Sequence, residues 1–175
     1  MQILLTEEEL REGVHRMTSE IAEHYGNRPL TIVGILTGSV VLMADMIRLL
    51  EMPLRVGVLQ ARSYHGPTTT RGSLIINDDL MPDIEGREVL LLDDIFDTGH
   101  TLKEVETRIR RFHPADVRSS VLLYKEGRQE VKMIPDFIGF KIPNEFVVGY
   151  GLDYEDAYRN LPYLAALEEE DLKLE

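Results

Sequence analysis

The 175-residue chain contains no cysteine, which removes disulfides and thiolate metal sites from consideration and agrees with a reducing compartment. Positive charge is scarce as well. Nineteen lysines and arginines stand against 31 aspartates and glutamates, for a formal net charge of -12. A surface of that sign repels nucleic acid and anionic membranes, so neither is an expected partner, and any bound anion must be held by a local pocket. Long apolar runs are missing too. The least charged window, Thr31 to Ala44, falls short of the roughly 20 residues needed to span a bilayer, and Gly34, Thr37, Gly38 and Ser39 interrupt it. The opening MQILLTEEELREG has no basic stretch leading into an apolar one, so no cleaved leader is predicted and a cytoplasmic location is the expectation. Internal repeats and linkers are also absent. With 43% apolar residues, the prediction is a single folded domain spanning 1–175.

What is present alternates between two periods. Thr6 followed by Glu9 reads as a capping box, and Leu10, Val14, Met17 and Ile21 recur at helical spacing through Tyr25. LTIVGIL, Leu30 to Leu36, is a continuous apolar run suited to a strand covered on both faces; TGS breaks it before a helical stretch, Val40 to Leu50. LRVGVLQARSY predicts a strand, HGPTTTRGS a long loop of the kind that forms lids, and SLIINDDL a short strand. EVLLL predicts a central strand ending at Asp93, and Leu102, Val105, Ile109 and Phe112 a helix stopped by Pro114. VRSSVLLY and DFIGFKI predict two more strands, FVVGYGLDY a last apolar run, and LEEEDLKLE a solvated helix end. Strands alternating with helices imply an α/β fold with a mainly parallel twisted sheet flanked by helices.

The most informative stretch is VLLLDDIFDTGHTL, Val89 to Leu102. In open α/β sheets ligands sit beyond the carboxyl ends of strands, where loops lead into helix amino termini. Asp97 to Thr101 has that place. Free N–H groups of a starting helix point at an anion, Gly99 permits a turn that a side chain would obstruct, and the Thr98 and Thr101 hydroxyls add donors. The stretch lacks both the Gly-Lys-Ser/Thr ending of a nucleotide-triphosphate loop and the spaced glycines of a dinucleotide fingerprint, so the pattern suits a phosphate monoester. Any one of these residues alone reads as a helix cap or a strand end. Together they concentrate charge where burial costs several kcal/mol, which a cation or a hydroxyl-rich ligand would offset.

With these residues the sequence resembles the purine phosphoribosyltransferases, whose signature has an apolar strand, two acids, two apolar residues and Asp-Thr-Gly. The resemblance covers nearly the whole chain through GILTGSVV, ARSYHG, LLYK and PDFIGFKIPNEFVVGYGLDYEDAYRNLP, and the last of these is similar to the 6-oxopurine, hypoxanthine-guanine branch. It implies the type I phosphoribosyltransferase fold, with a small hood built from the N-terminus and about 137–175, and a mobile lid near 63–73. It also implies magnesium-dependent joining of hypoxanthine or guanine to phosphoribosyl pyrophosphate in a cytoplasmic homo-oligomer, dimer or tetramer. Hard oxygen ligands suit that metal.

The same resemblance assigns roles. Asp93 and Asp94 would hold the ribose hydroxyls and help organise magnesium; Asp97 would face the purine and accept a proton; Thr98, Gly99, His100 and Thr101 would cradle the 5'-phosphate, His100 through its backbone. Lys125 would donate to the exocyclic oxygen of a 6-oxopurine, because an ammonium carries only donors. Phe146 would stack on the base and Val147 read its edge. Asp153 would be a second magnesium ligand beside the base. Leu36, Thr37, Gly38 and Ser39 would bind pyrophosphate around a cis peptide between the first two, assisted by the planar fork of Arg159. Some relatives have lysine where this chain has Thr37, so here the loop must rely on amides and hydroxyls. Ser63 and Tyr64 would begin the lid. His15, His24, His65 and His113 show no metal spacing. Two other readings of the acid cluster are an RNA-binding regulator, which the -12 charge disfavours, and a phosphoacceptor domain, which needs neither Lys125 nor Phe146.

Overall fold

The computed structural model describes residues 1–64, 73–168 and 171. His65, the middle of the expected lid and most of the acidic tail lie outside the described residues. Among those described, the elements in chain order are β1 (Gln2–Leu5), α1 (Glu7–Tyr25), β2 (Leu30–Leu36), α2 (Val40–Ile47), β3 (Leu54–Tyr64), β4 (Ser73–Asn77), β5 (Glu88–Phe96), α3 (His100–Arg110), β6 (Asp116–Lys125), β7 (Phe137–Ile142), β8 (Val147–Val148) and β9 (Leu164–Ala166).

Six strands form one sheet in the order β4-β3-β2-β5-β6-β7. All neighbours are parallel except β3 and β4. The continuous apolar runs in β2 and β5 follow from this position, because helices cover both faces of the sheet and successive side chains enter different cores. Leu30, Ile32, Leu90 and Leu92 join α1 and α2 in one cluster. Val33, Ile35, Val89 and Leu91 join Val105 and Ile109 of α3 in the other. α1 starts as its sequence requires: the Thr6 side chain accepts from the Glu9 backbone and the Glu9 carboxylate accepts from the Thr6 backbone. Its buried stripe is Leu10, Val14, Met17, Ile21 and Tyr25. Burial pushes the Tyr25 phenol well above its ordinary pKa.

The helix after β2 covers one face of the sheet and the helix after β5 covers the other. β2 and β5 are adjacent, so the two chains part there and leave a crevice at the strands' carboxyl ends. A second sheet, β1-β9-β8, is antiparallel and brings the two ends of the chain together as the hood. Val147, Tyr150, Leu152 and Leu164 join it to the α1 and α2 core, and the Tyr150 hydroxyl donates to Asp45 of α2 at 2.5 Å.

Several sequence boundaries move. α2 stops at Ile47 rather than Leu50, and α3 runs from His100 to Arg110. β5 does not end at Asp93 but continues to Phe96, because β6 is long enough to pair with it throughout: Asp93 sits opposite Val121 and Phe96 opposite Tyr124. LRVGVLQARSY, by contrast, is β3 from end to end, with Ser63 and Tyr64 opposite Leu74 and Ser73. β1 and β9 were not expected as strands; four and three residues are too short for a period to show. Among the described residues no helix is long and apolar enough to cross a membrane.

Candidate active site

The crevice is a cleft of about 520 Å³ with Leu36, Thr37 and Gly38 on one side and Asp93 to Gly99 with Thr101 on the other. Asp153, Asp156 and Arg159 reach it from the hood segment. Close backbone approach shapes its floor. A Cβ on Gly38 would lie 1.6 Å from Asp94 Oδ2, and one on Gly151 would lie 2.2 Å from the Gly38 carbonyl oxygen. Only glycine fits at either place, so the loop after β2, the acids of β5 and the hood turn are nested together. The Leu36–Thr37 peptide is cis.

Beyond β5 the chain turns through Asp97 and Thr98 into Gly99, which is left-handed at φ 89°. This conformation suits glycine alone here, since an added Cβ would meet Val131 at 2.4 Å and Phe96 at 2.6 Å. Gly99 is the N-cap of α3 and no side chain caps the helix. That contrasts with Thr6 at α1. The first amides of α3 therefore remain available at the cleft, where the helix dipole favours an anion. Thr98, Gly99 and Thr101 line the cleft, whereas the His100 ring turns out to Glu130, 2.8 Å away.

Asp93 is 6% exposed, and its Oδ1 accepts from the Asp94 amide at 3.0 Å. Asp94 Oδ1 accepts from the Ile95 amide at 2.8 Å. Among the described residues no lysine or arginine pairs with either carboxylate. Burial, and then the adjacent Asp94 charge, push Asp93 well above the usual carboxylate range. Burial raises Asp94 too, opposed first by its hydrogen bond with Asp93, then by backbone N–H groups, and least by Arg159. Asp153 is already engaged: its Oδ1 pairs with Arg159 at 2.8 Å and its Oδ2 accepts from the Asp156 amide at 2.8 Å. Arg159 also donates to the Gly151 carbonyl oxygen at 2.8 Å.

A smaller recess of about 220 Å³ opens beside the cleft between Asp94, Ile95, Asp97, Lys125, Phe146, Val147, Leu152 and Asp153. Lys125, at the end of β6, is 8% exposed, and its Nζ donates to Asp97 Oδ2 at 3.1 Å. Phe146 is half exposed at the mouth and stands edge-on to Tyr154. Asp94, Asp97 and Asp153 line both spaces, so a ligand in one abuts a ligand in the other.

The chain matches the phosphoribosyl transferase domain over residues 2–155. The hypoxanthine-guanine phosphoribosyltransferase of Staphylococcus epidermidis is 41% identical over 168 residues, 96% of this chain and 94% of that one. The chain belongs to the hypoxanthine-guanine phosphoribosyltransferase family. The Streptococcus pneumoniae enzyme of the same name is 38% identical over 97% of this chain and 94% of its own. Among solved structures, a hypoxanthine phosphoribosyltransferase from Staphylococcus aureus superposes with a TM-score of 0.90 at 38% identity, covering 97% of this chain and 92% of that chain. One from Trypanosoma cruzi, in a ternary substrates complex, gives 0.90 at 34%, covering 98% and 97%.

Within this phosphoribosyltransferase the geometry brings together most of the residues singled out in the sequence. Three stand apart. Ser39 is wholly buried with its hydroxyl donating to the Ile35 carbonyl oxygen at 2.6 Å, so its side chain does not face the cleft. His100 faces Glu130, and Ser63 lies on β3 outside the cleft lining. In the other direction, Gln60, Arg62 and Asp156 line the cleft without having been singled out. Gln60 and Arg62 share a face of β3, but their spacing alone does not mark that face as the cleft side. Arg128, whose Nε donates to Asp97 Oδ1 at 3.0 Å, lies in an aperiodic stretch that gave no signal.

Proposed function

We propose that the cleft transfers the 5-phosphoribosyl group of phosphoribosyl pyrophosphate to hypoxanthine or guanine, giving IMP or GMP and pyrophosphate in purine salvage. The observation that carries this reading is Lys125 and Asp97 side by side in a small aromatic-edged recess that opens onto an uncapped helix amino terminus. A donor-only ammonium beside a carboxylate matches a ring with an exocyclic carbonyl and an N–H. Adenine offers an amino group where the carbonyl would be.

Each residue then has a task. The α3 amides with Thr98, Gly99, His100 and Thr101 take the 5'-phosphate. Asp93 and Asp94 accept from the ribose hydroxyls, which relieves two buried carboxylates. Leu36, Thr37, Gly38 and Ser39, mainly through backbone amides, and Arg159 receive the pyrophosphate as it leaves. Phe146 stacks on the base, Val147 reads its edge, and Asp97 accepts the ring proton as the glycosidic bond forms.

Magnesium fits this set. The donors are carboxylate oxygens, and among the described residues no three acidic or histidine side chains converge into a complete cage. That suits an ion held largely by diphosphate and water. Asp93 and Asp94 would hold it, and so would Asp153 after loosening from Arg159; when bound it neutralises the leaving diphosphate. A cytoplasmic homo-oligomer, dimer or tetramer, accompanies the proposal, and light scattering measures its size.

Steady-state assays with each base, phosphoribosyl pyrophosphate and magnesium test the reading. Asp97→Asn should lower kcat about 100-fold or more, since general-base contributions run to roughly 10²–10⁴. Lys125→Ala should raise KM for hypoxanthine and narrow its preference over adenine. Full activity in both variants refutes the assigned site.

A further inference from the structure

Asp97 is held by two cations on different oxygens: Lys125 on Oδ2 at 3.1 Å and Arg128 on Oδ1 at 3.0 Å. Only Lys125 belongs to the recess; Arg128 lines neither the recess nor the cleft and is 45% exposed. It therefore reaches Asp97 from behind. The rest of its segment grips the same loop. Gln129 Nε2 donates to the Asp97 carbonyl oxygen at 3.3 Å and to that of Lys125, the Glu130 amide donates to the Thr98 carbonyl oxygen at 2.9 Å, and Val131 packs over Gly99.

Lys125 cannot serve Asp97 and a purine oxygen with the same geometry. An entering base draws the ammonium away, and Asp97 then loses one of its two partners at the moment it must present Oδ2 to the ring. We propose that Arg128 is a positioning residue that keeps Asp97 in place on Oδ1 while Lys125 exchanges its carboxylate partner for the base, and that residues 128–131 brace the phosphate loop against that exchange. The inference rests on the roles given above to Asp97 and Lys125. Without Arg128, Lys125 is the only cation on Asp97 among the described residues, so the pair is harder to open and the carboxylate turns more freely once it is open.

The test compares Arg128→Met and Arg128→Lys with Asp97→Asn and Lys125→Ala in the full chain. For Arg128→Met, kcat/KM for hypoxanthine should fall about 3- to 5-fold through KM and kcat together, the upper end of the range for one partly exposed charge pair. KM for phosphoribosyl pyrophosphate should stay within about two-fold, because Arg128 lies outside that cleft, and Arg128→Lys should recover most of the loss by keeping a donor. Wild-type KM and kcat in Arg128→Met overturn the inference, as does an equal rise in both KM values with a lowered Tm, which marks a merely structural role. If Asp97→Asn and Lys125→Ala impair catalysis while Arg128→Met does not, the clamp fails and the site assignment stands. If all three are silent, the assignment itself fails.

Discussion

Replacing Asp93 by asparagine should make the unliganded protein more stable and the enzyme worse. The wild-type carboxylate is 6% exposed, accepts one backbone N–H and has Asp94 as its charged neighbour. Its folded-state pKa is raised, by burial first and by Asp94 second. Below the unfolded pKa the group is protonated in both states and costs nothing. As pH rises toward the folded value, the unfolded chain ionises freely while the folded chain resists, so stability is lost across that window. Asparagine has no such slope, keeps an acceptor for the Asp94 amide and offers an N–H to the Asp94 carboxylate. At neutral pH the expected gain is about 1–3 kcal/mol, below the several kcal/mol of a fully isolated buried charge because one hydrogen bond is retained. At roughly 2–4 °C per kcal/mol for a chain of this length, Tm should rise by roughly 2–12 °C. The assay is thermal unfolding of both proteins without magnesium or substrate at about pH 4 and pH 8. The Tm difference should be small at the lower pH and open at the higher one, while KM for phosphoribosyl pyrophosphate rises. A variant melting at or below wild type at the higher pH refutes the claim that Asp93 is an uncompensated buried acid.

Gly38→Ala should raise KM for phosphoribosyl pyrophosphate about 10-fold or more, since the new methyl would stand 1.6 Å from Asp94 Oδ2 and must displace it or the loop; steady-state kinetics checks this, and an overpacking cost of about 1–3 kcal/mol should appear in thermal melts. Thr6→Ala removes the capping box at α1, far from the cleft, and should cost about 1 kcal/mol with kcat unchanged. A melt with no loss would mean that the hood contacts, rather than the cap, fix the start of α1.

The sequence made the central sheet legible because its strands are long and covered on both faces: LTIVGIL and EVLLL could be little else at that length. The capping box named the start of α1 to the residue. The hood strands escaped because two to four residues carry no period, and β1 finds its partner at the far end of the chain, Gln2 with Ala166, which Val147 flanks on the other side. The end of β5 was misplaced for a related reason. Two aspartates read as a strand end on polarity alone, yet β6 supplies ladder partners up to Phe96. In the site, motif residues on loops that leave the parallel strands were readable, because such loops must converge at the carboxyl edge. Ser39 and His100 are adjacent to those residues in sequence, but their side chains point into the core and toward Glu130. No spacing rule separates a loop residue that contributes its amide from one that contributes its side chain.

The two halves of the site differ in what a ligand must undo. In the phosphoribosyl half, the α3 amides have no capping side chain, and among the described residues no lysine or arginine pairs directly with the two buried acids, so charge in that half is only partly compensated. A phosphate and a pair of hydroxyls with an accompanying cation complete it, and the internal contact they disturb is the Asp153–Arg159 pair at the rim. In the base half, Lys125 and Asp97 already satisfy each other, so a purine must break a mostly buried ion pair before it gains a hydrogen bond. Ligand-induced stabilisation should reflect this asymmetry, because a ligand raises Tm in proportion to the net free energy of binding the folded state. Phosphoribosyl pyrophosphate with magnesium should therefore raise Tm well beyond hypoxanthine alone at equal concentrations. Hypoxanthine alone matching it would show that the Lys125–Asp97 pair opens at no cost, and that the recess is as receptive as the cleft.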